Sequence, residues 1–452
     1  MRGLTSSVDL QWVCPGVAPE SYLLARPNWF SKPARGGIAD IWALAADHSR
    51  FDKPVRNKMR IMIEPSFDPE NPRREIALIN GGLVFVPKLT AQPHFLRVDG
   101  REMAIEYHNL FLPGRLREGY IAQADRFAEA TRDAPLQLAD PAMVPKDADY
   151  CVQSHYVQNF FHFLTETMPY IGAVSAHGGK GRVFITDVAP FPGFVRDFID
   201  TIFPDLTERI VLHSGVTTHE NVLVPADLTN LAYVHGGVPQ PELPSRLQLR
   251  SLDLNSVGGQ TAIFNNSQCI WLRRLRRAGL EKIPDRLRGR GSRRLLISRK
   301  RAASRKLIEE DLLLKALAPL GFEEFVAEGM SAIEQIAAFN SAEIIIGPHG
   351  AGQANMIFCN PDCHVIELTQ RQFMARARHF IRLADTARCT FESIICDEHG
   401  TRFKVVDNVG NDIILSADAR DRLVSHVQDI IAGRFTPFAR KYCTLAEAGA
   451  PA

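Results

Sequence analysis

The first candidates for chemistry in this sequence are a histidine and a glutamate spaced four residues apart, His162 and Glu166. They fall in a segment predicted to form a helix from Gln158 to Val174, and residues four apart share one face of a helix. A histidine oriented by a carboxylate, or the carboxylate itself, can take a proton from a hydroxyl group. Considered alone, a core histidine and a carboxylate paired with an arginine are the simpler interpretation. The spacing could also hold zinc, but no third ligand is evident in the sequence.

A second group of candidates follows an apolar run that ends at Ile346. The run predicts a buried strand, which Gly347-Pro348 ends. The chain then turns through His349-Gly350-Ala351-Gly352 into a predicted helix that carries Asn355. Glycine amides and a helix N-terminus favour a bound anion, and His349 adds a switchable charge. Glu367 ends the next predicted strand, where nucleotide-binding folds hold ribose hydroxyls, so the stretch predicts a cradle for a diphosphate and a ribose.

Two arginines are candidates for the same anion. Arg299 follows a predicted strand, and Arg305 begins the helix predicted after it. A guanidinium group presents a fork that suits phosphate oxygens, and it keeps its charge at any physiological pH. Lys300 and Arg301 compete for the same role, and simple surface charge is the alternative explanation for both.

Strands and helices alternate in two regions, which is typical of βαβ units with parallel strands. In the first region the predicted elements are a strand at 182–185, a helix at 192–203 and strands at 210–212 and 222–224. Upstream, Asn80-Gly81 between two apolar runs predicts a β-hairpin.

In the second region, caps mark the predicted helices. One helix is expected from Arg305 to about residue 320, with Ser304 as its N-cap and Gly321 as its stop. Ser331 and Glu334 form a capping box for the next helix. An apolar face predicts a last helix at 416–431. The order of the strands in the sheet cannot be deduced from these patterns.

The length of 452 residues predicts two or three domains. We expect an N-terminal β-rich extension at 1–100, a Rossmann-like domain at 101–240, a basic linker at 241–292, a second Rossmann-like domain at 293–400, and a tail with a return helix at 401–452.

A net charge of +2 predicts no global attraction to nucleic acid. The lack of a long apolar run or a signal-peptide core predicts a cytoplasmic protein, and the eight scattered cysteines are expected to be reduced thiols in or near the core.

The segment from Trp271 to Lys306 is dense in arginine. Runs of like charge are usually solvated linkers. The functional alternative is attraction to an anionic acceptor, a membrane surface or nucleic acid. Nucleic acid is the weaker choice because few aromatic side chains interrupt the run.

Several short motifs occur together in a fixed order. They are NFFHFLTETMP (Asn159–Pro169), ISRKRAASR (Ile297–Arg305), GFEEF (Gly321–Phe325), Glu334-Gln335, GPHGAGQAN (Gly347–Asn355) and VIEL (Val365–Leu368). In this order they resemble the motifs of glycosyltransferase family 61, over about half of the chain. Gln353 departs from the family pattern, in which an apolar residue is usual after HGAG.

The resemblance implies an α/β fold of the GT-B type, a pair of Rossmann-like domains, here with an N-terminal β-rich extension. It implies inverting transfer from a nucleotide sugar, usually with UDP as the leaving group, the donor on the second domain and the acceptor on the first. The resemblance makes His162 and Glu166 the catalytic candidates. The donor-site candidates are then Arg299, Arg305, His349, Gly350, Gly352, Asn355 and Glu367.

Transfer without a metal is expected, and no resident cofactor besides the nucleotide-sugar co-substrate. The sole Asp-x-Asp triplet, Asp147–Asp149, follows Pro145-Lys146 rather than an apolar strand and is predicted to be a loop. Arginines and a helix dipole would replace the cation. The expected partners are a nucleotide-sugar donor and a glycan or lipid-linked acceptor, with no nucleic acid. A bacterial enzyme of capsule, exopolysaccharide or lipopolysaccharide synthesis fits, with peripheral contact to the anionic inner membrane.

Two other classes are compatible with Rossmann-like halves. One is a NAD-dependent oxidoreductase, against which stands the lack of a G-x-G-x-x-G after a predicted strand. The other is a non-catalytic carbohydrate-binding or scaffold protein that keeps the fold. Joint retention of the histidine, carboxylate and arginine candidates favours the enzyme.

Overall fold

The structure of the protein, a computed structural model, describes residues 12–13, 20–25, 29–33, 39–43, 75–79, 82–93, 95–103, 137–154, 156–227, 269–289, 292–370, 377–400, 410–435 and 442–444. The chain clusters into two compact units. Unit 1 comprises 1–33 and 75–271, and unit 2 comprises 34–74 and 272–452. The boundary near residue 271 falls inside the segment expected to be a basic linker.

The described residues form the following elements. The strands are β1 (Trp12–Val13), β2 (Tyr22–Leu23), β3 (Trp29–Pro33), β4 (Ala39–Ala43), β5 (Glu75–Ile79), β6 (Gly82–Gln92), β7 (Phe95–Val98), β8 (Arg101–Met103), β9 (Tyr150–Gln153), β10 (Val183–Thr186), β11 (Ile210–His213), β12 (Thr217–Ala226), β13 (Arg293–Ile297), β14 (Phe322–Phe325), β15 (Ala342–Pro348), β16 (His364–Thr369), β17 (Thr390–Ile395), β18 (Asp397–His399), β19 (Asp412–Ile414) and β20 (Tyr442–Thr444). The longer helices are α1 (Met168–His177), α2 (Gly193–Ile202), α3 (Cys269–Glu281), α4 (Glu310–Leu317), α5 (Ala332–Asn340), α6 (Ala377–Ala387) and α7 (Ala417–Ile431). In this described part of the chain, no helix has the length and apolar character needed to span a membrane.

Unit 1 is built on a mixed sheet in which a parallel part and an antiparallel part meet at β12. The described strands have the order β1-β8-β7-β6-β12-β9-β10-β11. β9, β10 and β11 run parallel, whereas β12 is parallel to β9 and antiparallel to β6. The predicted strand–helix–strand alternation is confirmed by β10, α2 and β11. The sheet is nevertheless not wholly parallel, because β12 returns beside β9 and extends into the antiparallel meander of β6, β7 and β8.

The hairpin expected around Asn80-Gly81 is wrong, although both flanking strands exist. β5 pairs with β3 in a separate two-stranded sheet, and β6 pairs with β2, β7 and β12. The two turn residues lie outside the described residues. Long-range pairing overrides the local turn signal here, because β6 pairs with β12 at nine positions and buries Leu83–Val86 in the process.

Unit 2 is built on a parallel sheet. Its described strands have the order β14-β13-β15-β16-β17-β4-β20, and every neighbouring pair is parallel. Counted from β13, the first five strands have the doubly wound order 2-1-3-4-5. In sheets of this order a crevice opens at the carboxyl ends of strands 1 and 3, which are β13 and β15 here. Ile344–Ile346 are fully buried, as their apolar run predicts.

Most predicted helix ends of unit 2 are confirmed. Ser331 and Glu334 form the expected capping box of α5, and Gly321 ends the turn after α4 in the left-handed region, with φ of 80°. Ser416 caps α7, which buries Leu423 and Val427 in the core of unit 2. The structure therefore shows α/β architecture with parallel strands in both units.

The predicted start of α4 is wrong. The helix begins at Glu310 rather than at Arg305, and Ser304 does not cap it. The residues between do not form a helix because they bond to β19: the Lys306 amide donates to Asp412 Oδ1, and the Ile413 amide donates to the Lys306 carbonyl. A distant segment thus takes the backbone groups that a helix would have used.

The cysteines whose side chains are described are free and buried, as expected: Cys151, Cys359, Cys363, Cys389 and Cys396. Burial raises the pKa of each thiol, and in Cys389 the contact with Cys359 contributes most. Thiols of this kind are poor nucleophiles at neutral pH.

Candidate active site

In unit 1, the segment that carries the first candidates begins a few residues after β9 ends. Asn159 caps a short α-turn, Phe160–His162, by accepting from the Phe161 amide at 2.9 Å, so the predicted helix start is confirmed. A π-helical turn, Phe163–Thr167, follows before α1 begins. Pro169 cannot donate a helical hydrogen bond, and the Met168 amide next to it bonds to the carbonyl five residues back. Single π-turns inside helices are frequent at functional sites.

This turn brings His162 and Glu166 together. His162 Nδ1 lies 2.6 Å from Glu166 Oε2; the imidazole is 28% exposed and the carboxylate is buried. A carboxylate at Nδ1 fixes the hydrogen on that nitrogen, so in the neutral ring Nε2 carries the lone pair. The sequence leaves open which residue is the base. The burial of Glu166 favours His162 as the proton acceptor and Glu166 as the residue that orients it.

A buried aspartate that the sequence analysis missed holds the loop before this helix. Asp187 directly follows β10, and its Oδ2 accepts from Ser154 Oγ and from the Val157 amide, both at 3.0 Å. Its Oδ1 accepts from the Val188 amide at 2.6 Å. Its signal in the sequence is a lone acidic residue at the carboxyl end of a strand, the position where parallel sheets place functional loops.

In unit 2, Arg299 and Gly350 meet at the crevice between β13 and β15. Arg299 follows β13, and Gly350 follows β15. A Cβ on Gly350 would lie 2.0 Å from Nη1 and 2.8 Å from Cζ of Arg299. The φ of Gly350 is 179°, an extended value that any residue adopts. The glycine therefore leaves room for the guanidinium, whereas its own backbone conformation does not demand a glycine.

Arg299 is a charged group held largely out of water. Its Nη2 donates to the Ser304 carbonyl at 3.1 Å, and its Nε is buried with no acceptor among the described residues. Burial lowers the pKa of Arg299, an effect opposed by the carboxylates of Glu328, Asp412 and Glu310. A guanidinium remains charged after such a shift. A buried N–H without a partner is costly, so this side chain suits an anion that enters the crevice.

The other basic residues of this loop are placed differently. Arg305 lies before α4 in the left-handed region, with φ of 58°, rather than at a helix start. Lys300 pairs with Asp311 at 2.6 Å and with Glu324 at 2.9 Å, which raises its pKa. Arg301 is exposed. Of the arginines and lysine in this loop, Arg299 is thus the one whose guanidinium packs on Gly350.

His349 is held by a buried carboxylate. Its Nδ1 lies 2.5 Å from Glu367 Oε1, and Ser393 Oγ donates to Glu367 Oε2 at 2.6 Å. The His349 ring also meets the edge of Phe380, with ring centroids 5.2 Å apart. The sequence predicts a ribose contact for Glu367, whereas the structure shows both of its oxygens bonded inside the protein and its side chain fully buried. This geometry makes Glu367 the residue that orients His349.

The contacts described for Asn355 and Gly352 are with residues other than Arg299. Asn355 is fully buried in a 3₁₀ helix, Ala351–Phe358, and donates to Gln335 Oε1 at 3.0 Å. Gln335 in turn donates to the Met330 carbonyl, so Asn355 ties this helix to the loop before α5. A Cβ on Gly352 would meet its nearest atom at 3.9 Å, so space does not demand a glycine there.

Gln353, the departure from the family pattern, has a defined structural role. Its buried side chain donates to the carbonyl of Gly347 at 2.8 Å and to that of Pro348 at 3.1 Å. It therefore fixes the end of β15, next to the turn that carries His349 and Gly350. An apolar residue at this position could not satisfy those two carbonyls.

Two further predictions concern charged segments. Asp147–Asp149 form a loop, as predicted, and Asp149 accepts from the backbone and side chain of Arg182. In α3 the side chains of Arg273, Arg274 and Arg277 are exposed. Arg276 is half-buried instead and donates to the Cys359 carbonyl, so it does not belong to the exposed basic face.

The chain is similar in sequence to known glycosyltransferases. The glycosyltransferase 61 family model matches residues 160–366. Residues 160–366, called the family 61 region below, are thus similar to glycosyltransferase family 61. The family 61 region begins at the α-turn that carries His162 and ends one residue before Glu367. It therefore includes the His162–Glu166 pair, Arg299 and the turn that carries Gly350.

One relative is the rice (Oryza sativa subsp. japonica) β-1,2-xylosyltransferase XAX1. It is 28% identical over 221 residues, which is 47% of this chain. The match covers 35% of the relative, so this chain spans about a third of its length. Both comparisons indicate glycosyltransferases, and neither supports the oxidoreductase or the scaffold alternative.

Proposed function

We propose that this protein is an inverting glycosyltransferase that moves a sugar from a nucleotide-sugar donor, with UDP as the expected nucleotide, to a hydroxyl of a glycan or lipid-linked acceptor. The family 61 region supports the class of reaction. The observation that carries the donor assignment is the Arg299 guanidinium packed on Gly350 at the crevice of a doubly wound parallel sheet.

Unit 2 supplies the donor site in this proposal. A diphosphate in the crevice would give Arg299 Nε the acceptor that the described residues do not provide. The charge of Arg299 would stabilise the departing diphosphate, the role that a cation has in metal-dependent transferases. His349, held by Glu367, would lie at the same turn. The remaining candidates, Arg305, Gly352 and Asn355, contribute less directly.

Unit 1 supplies acceptor activation. The acceptor oxygen attacks the anomeric carbon of the donor as the bond from that carbon to the diphosphate oxygen breaks. His162 Nε2 takes the proton of the attacking hydroxyl, and the buried Glu166 stabilises the resulting imidazolium. The diphosphate leaves with the bonding electron pair. A GT-B fold, with unit 1 for the acceptor and unit 2 for the donor, is part of this proposal, as is independence from metal.

A thermal-shift titration tests the donor site. Wild type is titrated with UDP, GDP, CMP and NAD, with and without EDTA, because a ligand that binds the folded state raises Tm by mass action. We expect stabilisation by one nucleoside diphosphate that EDTA does not remove. Arg299→Gln should abolish it, whereas Arg301→Gln, in the same loop but exposed, should keep it. Stabilisation by NAD alone, or equal loss in both variants, would contradict the proposal.

A transfer assay then identifies the sugar. Because the rice relative is a β-1,2-xylosyltransferase, UDP-xylose is the first donor to test, against UDP-glucose and UDP-galactose. Release of UDP that depends on an added glycan, with inversion at the anomeric carbon, is the expected result. Retention of configuration would contradict the single-displacement mechanism.

The exposed basic face of α3 is proposed to contact an anionic membrane, as in an enzyme of bacterial surface-polysaccharide synthesis. Neutralising Arg273, Arg274 and Arg277 to Gln together should abolish co-sedimentation with phosphatidylglycerol vesicles at low salt. Arg276 is left intact because it holds the Cys359 carbonyl. Unchanged co-sedimentation would refute membrane contact by this face.

A further inference from the structure

Tyr156, in the loop after β9, combines a strained backbone with an exposed aromatic side chain. Its φ is 54°, in the left-handed region, and the residue is 45% exposed. A bulky side chain at positive φ is strained, and an exposed tyrosine in a loop buries little apolar surface in return. Residues held in such conformations cluster at binding and active sites.

Hydrogen bonds hold the loop around Tyr156. Asp187 Oδ2 accepts from Ser154 Oγ and from the Val157 amide, on the two sides of Tyr156 in the chain. The Tyr156 carbonyl accepts from the Asn159 amide at 2.8 Å, at the N-cap of the turn that carries His162. The backbone at and after Tyr156 is therefore held by hydrogen bonds to Asp187 and Asn159.

That position is next to the proposed base. The ring centroids of Tyr156 and His162 lie 6.1 Å apart, with the planes tilted by 50°. A second exposed apolar side chain, Val188, is 49% exposed on the loop that Asp187 begins. The Gln158 side chain donates to the Val188 carbonyl, which joins that loop to the one that carries Tyr156.

An exposed aromatic face beside a proton acceptor suits one class of ligand. A pyranose ring has apolar C–H faces and hydroxyl groups at its edge, so it can lie on an aromatic ring while one hydroxyl reaches a base. The Tyr156 ring offers such a face, because the residue is 45% exposed and His162 lies beside the ring.

We propose that Tyr156, with Val188, forms the subsite on which the acceptor sugar stacks, so that one of its hydroxyls faces His162. The ligand class is a neutral pyranose of a glycan. This subsite deepens the proposed function and rests on it for the identity of the reaction, but sugar binding can be measured without turnover.

Saturation-transfer difference NMR on the full chain tests the subsite. The probes are the methyl β-D-pyranosides of glucose, galactose, mannose and xylose, compared in wild type, Tyr156→Phe, Tyr156→Gly and Val216→Ser. Glycine accepts positive φ without strain, so Tyr156→Gly should fold with an unchanged or higher Tm. Val216 is the matched surface control, an apolar side chain of the same unit that is 66% exposed.

We expect at least one pyranoside to bind wild type, with affinity kept in Tyr156→Phe and Val216→Ser and reduced about tenfold or more in Tyr156→Gly. With an active donor, the same change should raise the acceptor KM and leave the donor KM unchanged. Equal sugar binding by wild type and Tyr156→Gly would overturn the subsite, as would failure of every pyranoside to bind wild type. The rise in Tm caused by UDP, measured in the same samples, separates the two proposals. If UDP does not raise the Tm of wild type, the donor site is contradicted and the sugar subsite is not.

Discussion

The two units each contain a histidine bonded through Nδ1 to a buried glutamate, and the two contacts are almost equal in length. His162 lies 2.6 Å from Glu166 in unit 1, and His349 lies 2.5 Å from Glu367 in unit 2. Their exposure differs: the His162 side chain is 28% exposed, and that of His349 is 6% exposed. A histidine that exchanges a proton with a substrate must be reached by it. The same pair geometry therefore suits proton transfer in unit 1 and positioning of the turn in unit 2.

A second similarity concerns the loops after the first parallel strands. Tyr156 follows β9 and Arg305 follows β13, and both have positive φ, 54° and 58°. Each strained residue is fixed by a distant segment: Asp187 clamps the Tyr156 loop, and β19 pairs with the residues after Arg305. The sheets thus hold strained loops at their carboxyl ends in both units, where ligands bind in parallel α/β sheets. The side chains presented differ, an aromatic ring in one unit and a cation in the other.

The largest expected effect tests whether His162, unlike His349, takes part in proton transfer. His162→Ala should reduce kcat about 10²–10⁴-fold, because it removes the proposed base, with little change in Tm. Glu166→Gln should have a smaller effect on kcat, and the double variant should be no worse than His162→Ala, since the two residues act as a unit. Initial rates with a saturating donor measure this.

The matched control is His349→Ala in unit 2. Because His349 is buried against Glu367 and Phe380, this change should lower Tm by several degrees, consistent with a loss of roughly 1–3 kcal/mol. A His349→Ala variant with full stability and a His162→Ala variant with full activity would together show that exposure does not separate the two roles.

Local signals predicted the local structure well. The Ser331–Glu334 capping box and the Gly321 helix stop are confirmed, because each depends on hydrogen bonds within a few residues. The hairpin at Asn80-Gly81 and the Ser304 cap failed for one reason. In both places a distant strand takes the backbone for which the local signal gave another partner. β12 pairs with β6, which was expected to pair with β5, and β19 pairs with residues that were expected to start a helix.

The site was predictable in its residues but not in its contacts. The glycine turn, Arg299 and the His162–Glu166 pair could be read from residue type and spacing, and the order of the family motifs linked them. The packing of Arg299 on Gly350 depends on β13 and β15 being neighbours, which no pattern in the sequence specifies. Asp187 was missed because its partners, Ser154 and Val157, precede it by about thirty residues.

A smaller effect sharpens the view that the buried histidine contacts of unit 2 are structural. Glu392 is fully buried between two histidines: His364 Nε2 bonds to one of its oxygens, and His426 Nε2 lies 2.9 Å from the other. Burial alone would raise the pKa of Glu392, but the two histidines lower it from 4.5 to about 2. A carboxyl whose folded pKa is depressed stabilises the fold above its unfolded pKa, and this stabilisation is lost as pH falls from 4.5 towards 2.

The loss should be on the order of 3 kcal/mol, at about 1.4 kcal/mol per pKa unit. Urea unfolding of wild type and Glu392→Gln between pH 7 and pH 3 measures the part of this loss that falls above pH 3, roughly 2 kcal/mol. The variant should be less stable at pH 7, and the gap should narrow as the pH falls. Glu323→Gln, an exposed carboxylate of the same unit, is the control and should follow wild type. A constant gap across this pH range would contradict the structural role of the charge.

The finest test separates two glycines of one turn. A Cβ on Gly350 would lie 2.0 Å from Arg299 Nη1, so Gly350→Ala must displace the guanidinium, whereas a Cβ on Gly352 finds its nearest atom at 3.9 Å. Because the displaced group is the end of a flexible side chain, Gly350→Ala should keep the fold and weaken UDP binding about tenfold to a hundredfold, the value of one or two charged hydrogen bonds. Gly352→Ala keeps its backbone amide and should bind UDP within about twofold of wild type.

Isothermal titration of the two variants decides between two roles of the glycines: donating backbone amides to the anion, or leaving space for the Arg299 side chain. If both substitutions weaken binding equally, the turn acts as an amide cradle and the contact with Arg299 is incidental. If Gly350→Ala alone weakens it, the crevice binds the diphosphate through the guanidinium.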